Sequence, residues 1–276
     1  MSVLIRVGPA GNPVGYRGST ADVFRRLRSM GLDAYEYQAT YGLRLKKKNA
    51  LLIHENSRRN DVLVSMHGPY YINLSSHQEE TVKKSIERLF DCVVAADWMG
   101  AYRVVFHPGF YGKHGRRKAL EMCRESLRTL IDELHDAGLR DFTLAPETTG
   151  KKSQVGSLGE IIGFSEEFDN IKPAVDFAHI HARGGGCIEG ASDYLRILDT
   201  IEDRLGMDHL HCHFTAIEYT DAGERRHHTL REDFGPPVEP LIRVLVECGW
   251  DATIISETPQ KDRDAVRIKE ILGGYL

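Results

Sequence analysis

Residues 62–76 read VLVSMHGPYYINLSS. A run of branched and aliphatic residues leads into His67, and Gly68-Pro69 then breaks the chain. The run has the length and composition of a buried strand, and the Gly-Pro pair marks where it ends. One histidine at a strand end is usually a hydrogen-bonded structural residue. This one decides the fold because the same arrangement returns along the chain.

Seven further runs of the same kind stand at 3–7 (VLIRV), 33–38 (DAYEYQ), 102–106 (YRVVF), 141–145 (DFTLA), 171–175 (IKPAV), 208–214 (DHLHCHF) and 252–256 (ATIIS). Helical periodicity fills the gaps. Val82, Ile86, Leu89, Phe90 and Val93 make one apolar stripe at spacings of three and four. LRTLIDELHDAG (127–138) and VEPLIRVLVECG (238–249) read as helices that stop at a glycine. The repeat is about 35 residues, the size of one strand–helix unit. Eight such units predict an α/β fold, a single (β/α)8 barrel spanning residues 1–276. A doubly wound open sheet is the alternative, but it usually has fewer strands. No linker divides the chain, and the glycines at 184–186 fall in a loop after the sixth run.

Bulk composition agrees with this and adds little. The chain has 276 residues, 41% hydrophobic content and a formal net charge of −4. Overall charge therefore announces no nucleic-acid partner, and any anion-binding surface has to be local. The start, MSVLIRVGPAG, is far shorter than the ~20 apolar residues of a membrane span. It also lacks a signal-peptide pattern. The five cysteines are scattered without a C-x-x-C pair, which reads as reduced thiols in a cytoplasmic protein. No membrane and no protein partner are expected.

In a barrel of this kind the chemistry sits at the C-terminal ends of the strands. The third run ends at His67 and the fourth at His107. The fifth leads to Glu147, and the sixth to Asp176 and His179. The seventh carries His209, His211 and His213 at a spacing of two, so they share one face. The loop after it holds His227 and His228, and the eighth run leads to Glu257. Imidazole and carboxylate are common ligands of divalent metals. Any one of these residues could be a packing or turn residue. Six strands placing such groups at one end predict a shared metal site, because clustered ionisable groups are costly unless paired or metal-bound.

Taken together, HGPYYINL (67–74), His107-Pro108-Gly109, Glu147-Thr148-Thr149-Gly150, Asp176-x-x-His179 and Glu257-Thr258-Pro259 resemble the motifs of the endonuclease IV family of abasic-site endonucleases. That family lies within the xylose-isomerase-like barrels, and the similarity runs from about residue 3 to residue 260. The resemblance implies three zinc ions, with manganese as an alternative. Glu147 would bridge two of them, with His67 and His107 on the first. Asp176, His213 and Glu257 would hold the second. His179 and His227 would belong to the third. His211 would lie a layer deeper than His213. Glu147 and Glu257 would be the catalytic carboxylates. The family's third-ion motif is D-x-H, and here Arg225 stands where its aspartate would be. Glu224, one residue earlier, is the expected substitute, and without it the site would hold two ions.

By the same resemblance the activity is hydrolysis of the phosphodiester 5′ to an abasic site in duplex DNA, a step of base-excision repair. Arg44, Lys46 and Lys47 in LRLKKK, the KHGRRK stretch (113–118), Lys151-Lys152 and Arg225 are candidate phosphate contacts. Tyr70 and Tyr71 are candidate wedges into the duplex. Taken singly, each basic stretch is better read as a solvated surface cluster, and packing under the loop is an equally good account of either tyrosine. The alternative is a metal-dependent sugar isomerase or epimerase, which needs only Glu147, Asp176, His213 and Glu257. A metal-dependent DNA-binding protein without catalysis is a third reading, and the intact ligand set argues against it.

Overall fold

The structure is a computed structural model that describes residues 3–207 and 209–276. Eight strands form its centre: β1 Ile5–Pro9, β2 Ala34–Gln38, β3 Leu63–His67, β4 Val104–Phe106, β5 Leu144–Pro146, β6 Ala174–Asp176, β7 His209–Phe214 and β8 Asp251–Ser256. The helices are α1 Val23–Ser29, α2 Lys47–Arg59, α3 Glu79–Met99, α4 Gly115–Asp136, α5 Leu158–Glu167, α6 Phe177–Arg183, α7 Ala191–Leu205, α8 Val238–Cys248 and α9 Asp262–Gly273.

All neighbouring strands pair in parallel. β2–β3–β4–β5 form one arc and β6–β7–β8–β1 the other. Two seams close the ring. Ala10 bridges to Glu36, and Leu144 and Glu147 bridge to Ile171 and Ala174. The first seam depends on Gly8, whose Cβ, if present, would lie 1.7 Å from the Ala34 carbonyl oxygen. The result is the eight-stranded barrel with helices outside that the strand–helix alternation predicts.

Alternation along each strand separates two environments. Tyr35, Val64, Phe106, Cys212, Phe214 and Ile254 join the large apolar layer between strands and helices. The opposite faces line the barrel. Small clusters of Ala10, Ala34 and Ile255, and of Val105, Ala145 and Ala174, lie there. Cross-strand register puts Glu36 opposite Ser65, Gln38 opposite His67, His211 opposite Ala174 and Thr253, and His213 opposite Asp176 and Ile255. The interior is therefore apolar and narrow below and ionisable towards the C-terminal mouth.

Some sequence boundaries move. β1 runs two residues past the expected 3–7, through Pro9, because it continues its pairing with β8 up to Ser256. β4, β5 and β6 are shorter than their apolar runs. The expected start of the seventh strand at Asp208 lies outside the described residues. The segment after β7, expected as a loop, is an antiparallel hairpin of Ala216–Thr220 and Gly223–His228. It folds over the mouth, together with a short pairing of Gly109–Phe110 with Gln154–Val155. Among the described residues no helix is long and apolar enough to cross a membrane.

Candidate metal centre

Each candidate ligand sits where a strand gives way to the next element. His67 is the last residue of β3, and His107 follows β4. Glu147 follows β5, and Glu257 follows β8. Asp176 ends β6 and caps α6, accepting a hydrogen bond from the His179 backbone N–H through Oδ1 at 2.7 Å. That cap fixes His179 in the first helical turn, three residues on.

Glu147 is the hub. Its Oε2 lies 2.8 Å from His107 Nε2 and 3.2 Å from His67 Nε2. Its Oε1 lies 3.1 Å from His213 Nδ1 and 3.2 Å from His179 Nδ1. Glu257 Oε1 is 3.4 Å from His213 Nδ1. Three overlapping donor groups result: His67, Glu147 and His213; His107, Glu147 and His179; and Glu147, Asp176, His213 and Glu257. Within each, the donor atoms lie within 4.8 Å of one another.

A fourth group joins His179, Glu224 and His227. Glu224 carboxylate oxygens stand 3.6 Å from His179 Nε2 and 3.6 Å from His227 Nε2. The hairpin explains how a residue at the wrong spacing reaches this place. Tyr219 pairs with Glu224 and Glu218 with Arg226, so Arg225 is an unpaired bulge residue. One extra residue flips the faces of everything before it. Glu224 and His227 thus share a face at a separation of three. Arg225 is turned to solvent, with its guanidinium 2.6 Å from Glu218 Oε1. The fifth loop completes the fit. Glu224 N–H donates to the Gly150 carbonyl at 3.1 Å, and a Cβ at Gly150 would lie 2.6 Å from Glu224 Cβ.

The histidines are oriented from behind. His67 Nδ1 lies 2.8 Å from the Gly68 carbonyl, His179 Nδ1 2.9 Å from the Thr148 carbonyl and His227 Nδ1 3.2 Å from the Glu257 carbonyl. A carbonyl only accepts, so each Nδ1 carries a proton and Nε2 is the ring nitrogen left facing the mouth for a metal. These tautomers follow from the hydrogen-bond partners.

The electrostatics of the cluster are set by burial working against close imidazole–carboxylate contacts. Burial opposes the charge of Glu147, yet the surrounding imidazoles, His107 first, hold its carboxyl well below the usual range. Burial likewise opposes Glu224, but the His227 hydrogen bond and the His179 charge bring it to about 2. Asp176 goes the other way, raised chiefly by burial. Its Oδ2 is buried without a hydrogen-bond partner. An orphaned carboxylate oxygen, a second carboxylate and inward-facing imidazole nitrogens converge on one place. That donor set fits divalent cations, which satisfy several acceptors at once.

The remaining candidates lie outside this cluster. Tyr70 and Tyr71 are 48% and 45% exposed. The Tyr70 ring packs edge-on to His67 with centroids 5.4 Å apart, directly at the mouth. Tyr71 is occupied by the Arg88 guanidinium 4.5 Å above its ring. Arg44 and Lys46 are exposed between β2 and α2, and the exposed Lys47 opens α2 with its ammonium 5.2 Å over the Trp98 ring. In the KHGRRK stretch, Arg116 is tied to Glu160 at 2.6 Å, which braces α4 against α5. Sequence reasoning missed Glu36, a fully buried carboxylate in the barrel beside His211 and His213. Its strand offered a signal. Glu36 stands between Tyr35 and Tyr37, so an outward-packed Tyr35 turns Glu36 inward.

Comparison with known proteins places this geometry. The family model described as the xylose isomerase-like TIM barrel matches residues 24–272. An uncharacterised protein of Methanocaldococcus jannaschii, MJ0133, is 33% identical over 271 residues, covering 96% of this chain and 95% of that one. A probable endonuclease 4 of Streptomyces avermitilis is 33% identical over 147 residues, 51% of this chain and 46% of that protein. The chain thus spans about half the length of the curated endonuclease relatives it matches. Endonuclease IV of Thermus thermophilus superposes with a TM-score of 0.73 at 21% identity, covering 98% of this chain and 99% of that one. A D-tagatose 3-epimerase-like protein superposes at 0.69 and 21%, covering 93% of each. Both likenesses establish the barrel alone. With the match extending over nearly all of the barrel, the chain belongs to the xylose isomerase-like TIM barrel family.

Proposed function

We propose that the protein is a metal-dependent endonuclease that hydrolyses the phosphodiester 5′ to abasic sites in duplex DNA. The observation that carries this reading is the donor group of His179, Glu224 and His227, adjoining groups that share Glu147. A four-ligand site of Glu147, Asp176, His213 and Glu257 has no need of it, nor of His67 and His107. A phosphodiester presents charge on several oxygens at once, and a row of adjacent cation sites matches that distribution.

In this reading His67 and His107, whose Nε2 atoms both lie against Glu147 Oε2, hold one ion with Glu147, although the two imidazoles fall in separate donor groups. Glu147, Asp176, His213 and Glu257 hold a second, and His179, Glu224 and His227 a third, with zinc the ion that best suits nitrogen and carboxylate donors. Bound ions would neutralise phosphate oxygens and acidify a water molecule. The chain's own residues do the positioning. Gly68, Thr148 and Glu257 backbone carbonyls hold three imidazoles with Nε2 inward. Glu147 ties four histidines to one carboxylate. Tyr70 borders the mouth and narrows it, which favours a sugar without a base, and such a nucleotide is also the cheapest to extrude from the stack. Arg225 and the exposed cations of 44–48 supply backbone contacts.

A second reading is an epimerase acting on a ketose. It is favoured by one observation, that Glu147, Asp176, His213 and Glu257 form a complete donor group by themselves. Metal-loaded protein incubated in parallel with an abasic duplex, an intact duplex and a panel of ketoses separates the two. Incision of the abasic duplex alone supports the nuclease. Epimerised sugar with both duplexes untouched refutes it.

A further inference from the structure

Three of the metal-facing histidines are held from behind by backbone carbonyls. His213 is not. Its Nδ1 faces Glu147 and Glu257, and its Nε2 points down the barrel to Glu36, 3.1 Å from Oε1 and 3.2 Å from Oε2. We propose that Glu36 is a positioning residue that holds His213 with its proton on Nε2, so that Nδ1 is presented to the metal. This inference rests on the metal-centre part of the function proposed above and not on the DNA substrate.

Glu36 together with His211 and His213 has the proximity of a metal site in its own right. The hydrogen bonds argue otherwise. Gln38 Nε2 donates to Glu36 Oε1 at 3.0 Å, and Ser65 Oγ donates to Oε2 at 2.9 Å. His211 Nε2 lies 3.3 Å from Oε2. With His213 that makes four donors, and an ionised carboxylate has about four acceptor positions. None remains for a cation. The protons can be assigned throughout. The Tyr102 hydroxyl is bonded to His211 Nδ1. His211 must give one N–H to Glu36, so Tyr102 O–H donates and His211 Nδ1 accepts. His213 then gives Nε2–H to the same carboxylate. The whole relay is buried, with Glu36, His211 and His213 fully enclosed. A buried carboxylate is costly unless its hydrogen bonds are complete, and here they are.

The arrangement has a chemical consequence. A carboxylate behind an imidazole fixes the tautomer, locks the ring and raises the basicity of the coordinating nitrogen. At His67, His179 and His227 the backbone does this and side-chain substitution cannot remove it. At His213 it depends on one residue, 177 positions earlier in the chain.

The test uses the whole chain, labelled with 15N at histidine and titrated with zinc, as wild type and as Glu36→Gln. Long-range 1H–15N spectra read which ring nitrogen carries the proton, and competition with a chromogenic chelator reads affinity. In loaded wild type, His213, identified by the signal lost in His213→Asn, is expected to be protonated at Nε2 and bound through Nδ1. His67, His179 and His227 are expected to show the opposite pattern. Glu36→Gln should weaken the ion at Glu147, Asp176, His213 and Glu257 about 10- to 100-fold. His213 bound through Nε2, or wild-type affinity in Glu36→Gln, would overturn the proposal. If Glu36→Gln does not fold, the wild-type tautomer pattern decides alone. Wild type that binds no divalent ion would overturn the metal reading itself, and this inference with it.

Discussion

Gly150→Ala tests how the fourth donor group is built. The new methyl carbon would stand 2.6 Å from Glu224 Cβ, 2.9 Å from Glu224 Oε2 and 3.0 Å from His179 Cδ2. Carbon atoms in contact prefer about 3.5–4.0 Å, so Glu224 has to retreat by roughly 1 Å. A zinc–oxygen bond is about 2.0–2.2 Å, and a displacement of that size removes Glu224 from coordination. Overpacking of this kind costs about 1–3 kcal/mol, a fall of several degrees in Tm for a chain of this size. The fold should therefore survive while the ion at His179, Glu224 and His227 is lost. Metal per chain by elemental analysis, Tm by calorimetry and incision of an abasic duplex are measured together. The expected result is about one ion fewer, activity reduced by at least a hundredfold and circular dichroism unchanged. A variant that keeps both its metal content and its turnover would refute the claim that Gly150 makes room for a liganding Glu224.

Three further outcomes are expected. Glu147→Gln should abolish hydrolysis with the barrel intact, because in the proposed site one carboxylate serves two ions; wild-type turnover on every substrate would exclude Glu147 as the bridge. Arg225→Ala should leave metal content unchanged, weaken duplex binding and reduce the slope of affinity against salt by about one phosphate contact, measured by fluorescence anisotropy. Burial pulls the His67 pKa down, but the Glu147 hydrogen bond and charge lift it to about 9. Its proton stabilises the metal-free fold fully below its unfolded value near 6.5 and is lost as pH rises through about 9. A ligating histidine must be deprotonated, so zinc uptake at pH 7 should release protons and tighten as pH rises to about 9. Calorimetry in buffers of different ionisation heat counts those protons, and none released at pH 7 would contradict the expectation.

Much of this was readable from local patterns. The eight apolar runs and the polar groups behind them locate the barrel and its mouth, because strand alternation and strand ends are set within a few residues. His67, His107, Glu147, Asp176, His179, His213 and Glu257 are brought together by that local signal and the barrel's closure. Glu224 was expected only as the stand-in for the aspartate of the resembled motif, and the local pattern did not say how it gets there. Its place depends on a bulge at Arg225 and on the space at Gly150, contacts made across 74 residues of chain. Glu36 escaped for a different reason. A carboxylate flanked by tyrosines looks like the exposed side of a half-buried strand, and only a closed barrel shows that this side faces His211 and His213.

The most direct test of the account is the rate of abasic-duplex incision measured against the number of zinc ions bound per chain. The account predicts that incision appears with the third ion, on the 5′ side and leaving a 3′-hydroxyl, and that Glu224→Ala stops at two ions with incision almost gone. Full incision by the two-ion variant, or no incision by wild type carrying three ions, would contradict it.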